Sequence, residues 1–347
     1  MAFSRRRFLT RTSAGAIGFV SASPIGHWAT RSTNIQSGNP NTLWIFFDRV
    51  EENFIVRAHF GNQRRVYKTL EHADTIIYEL EDLYRNLQFS YSLYGNESQI
   101  INQSKRLGNQ ILSPLDSWIE RCEDIQFVIP EEFIRLPFDF LQHTEQYLFL
   151  QKPVKYSFSP VSSTFQLAKN CSALIIWDRT ADPERGADFV RDMVSDSIYY
   201  DIRDLTLDRL NSISPKDIVF ISAHGWVELN REDYIALNEE SIQAADLARL
   251  SPKLIYLDSC QLGVSNEFIQ SLRRANASYY IAPILSNEAG NSSTKTIECF
   301  FQGLEDGLSP SMALFETRRQ LYKHFKAIDD YRRLMWRAFP FRVYHLK

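Results

Sequence analysis

Residues 217–225 read DIVFISAHG, and residues 253–260 read KLIYLDSC. Each stretch contains a short apolar run without alternating polar residues, which is typical of a strand buried on both faces of a parallel sheet. Similar runs at 173–177, 198–202 and 279–285 are separated by segments with helical periodicity. The second half of the chain therefore predicts an α/β fold, in which a mainly parallel sheet is covered by helices on both faces.

The first half of the chain has a more mixed pattern. Short apolar runs predict three strands, at 43–47, 54–58 and 125–129. Apolar residues that recur every three or four positions predict two helices, at 70–87 and 100–112. The stretch after residue 130 is expected to be rich in loops, and the segment near 157–165, which contains Pro and Ser, is the candidate for an internal boundary.

The composition is that of an ordinary globular protein and argues against two function classes. Of the 347 residues, 44% are hydrophobic and 23% are charged, and the net charge of −3 is spread without a long run of one sign. The basic doublets lie among acidic neighbours or in helical patterns, so we expect no nucleic-acid partner. After the N-terminus no window has the about 18 apolar residues that a bilayer span needs, so we expect no stable membrane span.

The chain has four cysteines and seven histidines, and none of them are spaced like the ligands of a metal site. We therefore expect neither a metal nor another cofactor. A disulfide framework is not expected in so large a core either. Each cysteine is thus a candidate for a buried core thiol or for a nucleophile.

Residues 1–40 differ in composition from the rest of the chain. Residues 4–9 read SRRRFL, and a mildly apolar stretch with Gly and Ala follows as far as Ala22. This layout is typical of an export signal, and the arginines before Phe8 resemble the twin-arginine type, which carries folded proteins. Because Arg11 interrupts the apolar part, a disordered basic leader or a start codon placed too early are the alternatives. We expect a bacterial protein, exported by the twin-arginine route if the leader is genuine and otherwise cytoplasmic.

Reactive side chains follow two of the predicted strands. His224 comes directly after the first apolar run quoted above, and Cys260 follows the second. Ligands of an open parallel sheet bind outside the carboxyl ends of its strands, so neighbouring strands would bring both side chains to one edge. An imidazole can take the thiol proton and later give it to a leaving amine, while the amides of Gly225 and Cys260 could hold an oxyanion. Taken alone, such a histidine is more often a turn or core residue, and such a cysteine a buried apolar one.

An apolar run ending in His-Gly, followed by an apolar run ending in Asp-x-Cys, resembles the clan of caspases, metacaspases and separases. The closer resemblance is to the CHAT domain, a caspase-like domain often found with tetratricopeptide repeats. Further segments follow the order of that family, at 107–115, 127–141, 281–285, 300–304 and 336–339. The resemblance implies a caspase-like αβα sandwich over residues 41–347, with a non-catalytic half at 41–165 and a catalytic half at 166–347.

The resemblance implies a cysteine endopeptidase that cleaves protein substrates through an acyl-enzyme on Cys260, with His224 as base and without metal or nucleotide. Asp258 matches the acidic position that lines the primary pocket of metacaspase-like members, so cleavage after Arg or Lys is expected. Asp178 and Asp182 are further candidates for that pocket. The alternative for Asp258 is that it caps a helix or orients the loop around the nucleophile.

The resemblance also bears on partners. No repeat region accompanies the motifs, so we expect any activator to be a separate protein. By family analogy a pore-forming protein of a defence system is one expected substrate. Two other functions stay open: a catalytically silent scaffold that keeps the fold, and a peptide ligase, in which an amine instead of water resolves the acyl-enzyme.

Overall fold

The computed structural model describes residues 39–63, 65–89, 97–161, 167–168, 170–227, 232–286, 290–327 and 339–347. Apart from residues 39 and 40, the leader predicted at 1–40 lies outside these ranges, and so do residues 162–165 of the boundary predicted at 157–165. The described residues belong to one compact unit, Gln36–Lys347.

Strands and helices alternate along most of this unit. The strands are β1 (Thr42–Val50), β2 (Asn53–Phe60), β3 (Val66–Leu70), β4 (Asp124–Val128), β5 (Gln142–His143), β6 (Gln146–Tyr147), β7 (Val154–Ser157), β8 (Ser172–Trp177), β9 (Asp196–Asp201), β10 (Ile218–Ser222), β11 (Gly225–Trp226), β12 (Tyr234–Leu237), β13 (Glu240–Ile242), β14 (Leu254–Asp258), β15 (Tyr279–Pro283) and β16 (Phe341–His345). The helices are α1 (Ala73–Phe89), α2 (Glu97–Leu112), α3 (Asp116–Arg121), α4 (Leu148–Gln151), α5 (Gly186–Met193), α6 (Leu207–Ser212), α7 (Ala244–Ala248), α8 (Asn266–Arg274), α9 (Asn291–Glu305) and α10 (Pro310–Lys326).

Eleven of the strands form one sheet, in the order β3-β2-β1-β4-β7-β16-β15-β14-β10-β8-β9. Its pairings are parallel except for β1 with β2, β2 with β3 and β15 with β16. The α/β fold with a mainly parallel sheet is therefore confirmed. The strands from the first half of the chain occupy one end of the sheet, and those from the second half occupy the other. They meet where β7 pairs with β16, at Tyr156 and Tyr344.

The central strands are buried on both faces. Along β10, Ile218 and Phe220 pack in one core layer with residues of α5, α9 and α10. Val219 and Ile221 point the other way and pack with residues of α6, α7 and α8. Since neither face meets water, the positions from Ile218 to Ile221 are all apolar and the run lacks alternation. Burying one such side chain contributes about 1.5–3 kcal/mol, so these runs are a main source of the stability of the sandwich.

The strands and helices predicted in the first half are present, but the stretch after residue 130 has more regular structure than expected, including β5, β6 and α4. It contains β7, a four-residue strand with Lys155 in its middle, which pairs with β4 and β16. The C-terminal strand β16 was also missed, because Arg342 and His345 hide its apolar pattern. A further difference is β3, an edge strand that ends at Leu70, before α1 begins at Ala73.

A buried ionic cluster lies where the two halves of the sheet meet. The Asp139 carboxylate accepts a hydrogen bond of 2.7 Å from the Tyr156 hydroxyl and lies 3.1 Å from Nη2 of Arg342 and 3.5 Å from Nη2 of Arg318. All four residues are at most 2% exposed. The cluster therefore connects the 3₁₀ turn Phe138–Phe140 to β7, β16 and α10. Because burial removes the hydration of these charges, each charge needs its partners to compensate for the desolvation penalty.

Candidate functional site

The register of two neighbouring strands positions His224 and Cys260. β10 and β14 are parallel, and their last residues, Ser222 and Asp258, lie opposite each other. The pairing continues one step further, because the Ala223 amide donates to the Asp258 carbonyl at 3.3 Å. His224 and Cys260 each come two residues after a strand end, so both leave the same edge of the sheet side by side.

His224 is exposed, and a third strand contributes its partner. Nε2 of His224 lies 3.0 Å from the hydroxyl of Thr180, in the loop after β8. The amide and the hydroxyl of Thr180 each lie 2.8 Å from Oδ1 of Asp178. The amide of Asp178 in turn donates to the Ser222 carbonyl at 2.7 Å, which fixes this loop against β10. The ends of β8, β10 and β14 therefore meet around the imidazole.

Gly225 allows the loops after β10 and β14 to approach closely. A Cβ at this position would lie 2.9 Å from Cβ of Ser259 and 3.2 Å from the Leu262 side chain. The small sheet does not use the amide of Gly225. The Ala236 amide donates to the His224 carbonyl at 2.9 Å, so the next pair of the ladder, Gly225 with Ile235, is a non-hydrogen-bonded pair. In an antiparallel ladder such a pair exchanges no hydrogen bonds, so β12 does not use the N–H of Gly225.

Cys260 opens a tight turn. The next residue, Gln261, has a φ of 61°, and its amide donates to the Leu285 carbonyl at 3.2 Å. A 3₁₀ turn, Leu262–Val264, follows, and the Tyr280 hydroxyl donates to the carbonyl of its first residue at 2.7 Å. The thiol of Cys260 is partly exposed and is not in a disulfide. The turn thus presents this thiol at the edge of the sheet on a backbone held from two sides.

The other three cysteines are also free thiols, but their surroundings differ. Burial raises the pKa of Cys122 to about 11, and it also raises the pKa values of Cys171 and Cys299. A thiol with a raised pKa stays protonated near neutral pH, and the thiolate is the nucleophilic form. These three sites are therefore poor candidates for nucleophiles.

Asp258 is buried at the edge of the sheet, between two hydroxyl groups. Its Oδ2 accepts a hydrogen bond of 2.8 Å from Ser222 and another from Ser293, at the beginning of α9. Alternation along the strands places Ser222 and Asp258 on the face of Phe220 and Tyr256, which α5 and α9 cover. Burial, followed by the charge of Asp258, holds the pKa of Tyr256 well above its usual range. The carboxylate therefore lies between β14 and the beginning of α9, next to two hydroxyl groups.

The other two predicted pocket residues occupy different surroundings. Asp178 is half-buried beside Thr180, as described above. Asp182 is fully buried and accepts hydrogen bonds from the amides of Gly186 and Ala187, at 2.8 and 2.9 Å, in the first turn of α5. Its carboxylate therefore stabilises a helix N-terminus.

Three of the residues around the site were not singled out from the sequence: Thr180, Ser222 and Ser293. Thr180 and Ser222 lie within two residues of a candidate, so closer attention to the strand ends could have found them. Ser293 lies 35 residues after Asp258 and has no local signal. Only the packing of α9 against the sheet brings it to the carboxylate.

Two further properties bear on the chemistry. Across the described ranges, no group of three His, Cys, Asp or Glu side chains is arranged to hold a metal ion. Within the same part of the chain, no helix combines the length and apolar character needed to cross a bilayer.

Comparison with known proteins identifies both a family and a fold. Residues 102–343 match the family model of the CHAT domain, and this range includes His224 and Cys260. The fold is similar to a chain in the crystal structure of the Saccharomyces cerevisiae separase–securin complex, with a TM-score of 0.50 and 10% sequence identity. The similarity covers 88% of this chain and 30% of that one, so this chain spans about a third of its length. No curated protein matches the sequence. The similarity confirms the expected caspase-like fold.

Proposed function

Because the chain belongs to the CHAT domain family, we propose that it is a caspase-like cysteine endopeptidase with Cys260 as nucleophile and His224 as base. The observation that carries this proposal is the register of β10 and β14, in which Ser222 lies opposite Asp258. Both reactive residues follow these positions by two. A thiol and an imidazole at adjacent strand ends are the pair that thiol acyl transfer needs.

In the proposed reaction, His224 takes the proton of the Cys260 thiol, and the thiolate attacks the carbonyl carbon of the scissile peptide bond. The amides of Gly225 and Cys260 stabilise the oxyanion. The imidazolium then gives its proton to the leaving amine as the C–N bond breaks, which leaves a thioester on Cys260. Water, deprotonated by His224, hydrolyses the thioester and regenerates the thiol.

We further propose that substrates carry Arg or Lys before the scissile bond. Asp258 supplies the carboxylate, and the Ser222 and Ser293 hydroxyls stabilise its charged form by donating hydrogen bonds to it. Asp178 adds negative charge at the rim of the proposed substrate recess. The Asp182 carboxylate adds further negative charge, although the first turn of α5 engages both of its oxygens. A cationic side chain that enters such a recess gains a charge-assisted hydrogen bond.

The proposal is tested with a fluorogenic peptide library that varies the residue before the scissile bond. The full chain is compared with Cys260→Ala, His224→Ala and the matched control Cys299→Ala, which removes a partly exposed thiol elsewhere. We expect cleavage after Arg or Lys, a loss of about 10³-fold or more in kcat/KM for the first two variants, and no change for the control.

Three other outcomes have distinct meanings. Activity that survives Cys260→Ala would exclude this residue as the nucleophile. If the thiol is required but mass spectrometry finds joined peptides instead of hydrolysed ones, the protein is a ligase and not a peptidase. Binding of a protein partner that is unchanged in Cys260→Ala, together with no turnover by the wild type, would favour a scaffold.

A further inference from the structure

The loop after β8 supplies a chain of hydrogen bonds that ends on His224. Oδ1 of Asp178 accepts hydrogen bonds from both the amide and the hydroxyl of Thr180, each at 2.8 Å. The same hydroxyl lies 3.0 Å from Nε2 of His224. Two bonds from one carboxylate oxygen to one residue fix the position of the Thr180 side chain, so the hydroxyl is held where the imidazole meets it.

The hydroxyl has a single proton, which decides the direction of both bonds. A carboxylate only accepts, and a hydrogen bond to a charged acceptor is stronger than one to a neutral nitrogen, so the proton of Thr180 goes to Asp178. Toward His224 the hydroxyl is then an acceptor. Nε2 must carry a proton to make that bond, and the neutral ring keeps its lone pair on Nδ1.

We infer that Thr180, held by Asp178, is a positioning residue that fixes His224 as the Nε2–H tautomer and leaves Nδ1 as the basic nitrogen. The inference rests on the proposed peptidase function for its role in catalysis, but the tautomer itself does not depend on activity. Nδ1 takes the proton of the Cys260 thiol, and the imidazolium keeps its Nε2–H bond to Thr180. The Nδ1 proton passes to the leaving amine, and Nδ1 next takes a proton from the attacking water.

The Asp178 carboxylate then has two connections. Its charge lies one hydroxyl away from the imidazolium that forms during the reaction, and it stabilises that cation through Thr180. The same carboxylate lies at the rim of the proposed substrate recess. Asp178 thus supports the base and also contributes to the proposed recess.

The first test reads the tautomer directly. The full-length Cys260→Ala protein, labelled with ¹⁵N-histidine, is compared by NMR with the same protein carrying Thr180→Val, and His224→Gln identifies the signal. We expect His224 to show a protonated Nε2 and an unprotonated Nδ1, and we expect Thr180→Val to give a mixture of tautomers. A protonated Nδ1, or a tautomer that Thr180→Val leaves unchanged, would overturn the inference.

The second test uses turnover. Thr180→Val removes the hydroxyl and keeps the shape of an exposed side chain, Thr180→Ser keeps the hydroxyl, and Thr69→Val on the edge strand β3 is the matched control. We expect Thr180→Val to lower kcat about tenfold with KM changed less than about twofold, and Thr180→Ser to keep most of the wild-type kcat. An equal loss in Thr180→Ser would contradict a role for the hydroxyl. If the wild type has no peptidase activity, the proposed function fails, while the NMR result still decides the tautomer.

Discussion

Ser222 and Asp258 end two adjacent parallel strands at the same level, and the hydroxyl of Ser222 donates a hydrogen bond of 2.8 Å to the buried carboxylate of Asp258. This contact links the strand that leads to His224 with the strand that leads to Cys260. It therefore holds the two reactive residues in register and places a negative charge beside them.

Asp258→Asn separates a role in substrate recognition from a role in loop structure. The amide oxygen can still accept from Ser222 and Ser293, but the charge is lost. We expect kcat/KM to fall about 100-fold for substrates with Arg or Lys before the scissile bond, because a buried charge pair is broken. Substrates that are neutral at that position should lose little. Asp192→Asn, at an exposed side chain, is the control. An equal loss for all substrates would favour the alternative in which Asp258 orients the loop.

Gly225→Ala tests the close approach of the two loops. The added Cβ would lie 2.9 Å from Cβ of Ser259, so the loop that carries His224 must move away from the loop that carries Cys260. We expect a loss of stability of about 1–3 kcal/mol and a marked loss of turnover, measured by urea denaturation and peptide cleavage. Adding Ser259→Gly removes the closest contact and should restore part of both. No recovery in the double variant would contradict this packing explanation.

Asp139→Asn tests the buried ionic cluster. The change keeps the shape of the side chain but leaves Arg318 and Arg342 without their counter-charge in the core. We expect the free energy of unfolding in urea to fall by about 3–5 kcal/mol. The matched control is Asp48→Asn, whose partner Arg57 is exposed, and it should cost less than about 1 kcal/mol. Equal effects of the two substitutions would show that the cluster does not hold the sheet together.

His345 makes the stability of the fold sensitive to acid. Burial, reinforced by the charge of Lys155, lowers the pKa of this histidine from 6.5 to about 3. Between about pH 6.5 and 3 the unfolded chain therefore binds a proton at this residue that the folded chain does not bind. The free energy of unfolding falls as the pH drops through this range, by at most about 1.4 kcal/mol per pH unit.

His345→Phe keeps a ring that can stack on Tyr279, where the present ring centroids are 4.5 Å apart. We expect unfolding free energies measured between pH 7 and 4 to depend less steeply on pH in this variant. His324→Gln, at an exposed histidine, should keep the slope of the wild type. A slope unchanged by His345→Phe would mean that other groups cause the acid sensitivity.

Local patterns in the sequence were enough to place the central strands and the order of the reactive residues. A strand buried on both faces is apolar along most of its length, so β10 and β14 appear in the sequence as apolar runs, and His224 and Cys260 follow them closely. Each reactive residue comes only two positions after its strand, so both signals are local in the sequence. The α/β class and the resemblance to the family followed from the same segments.

Long-range packing sets which distant side chains complete the site and hold the two halves of the sheet together. Ser293 reaches Asp258 across 35 residues, and Arg342 reaches Asp139 across 203. Periodicity reports whether a residue faces a core, but it carries no information on which charge or hydroxyl will stand opposite after packing. A buried arginine in β16 therefore looked like a surface residue, and Thr180 looked like any polar residue of a loop. Their roles follow from partners that the folded sheet alone brings within hydrogen-bond distance.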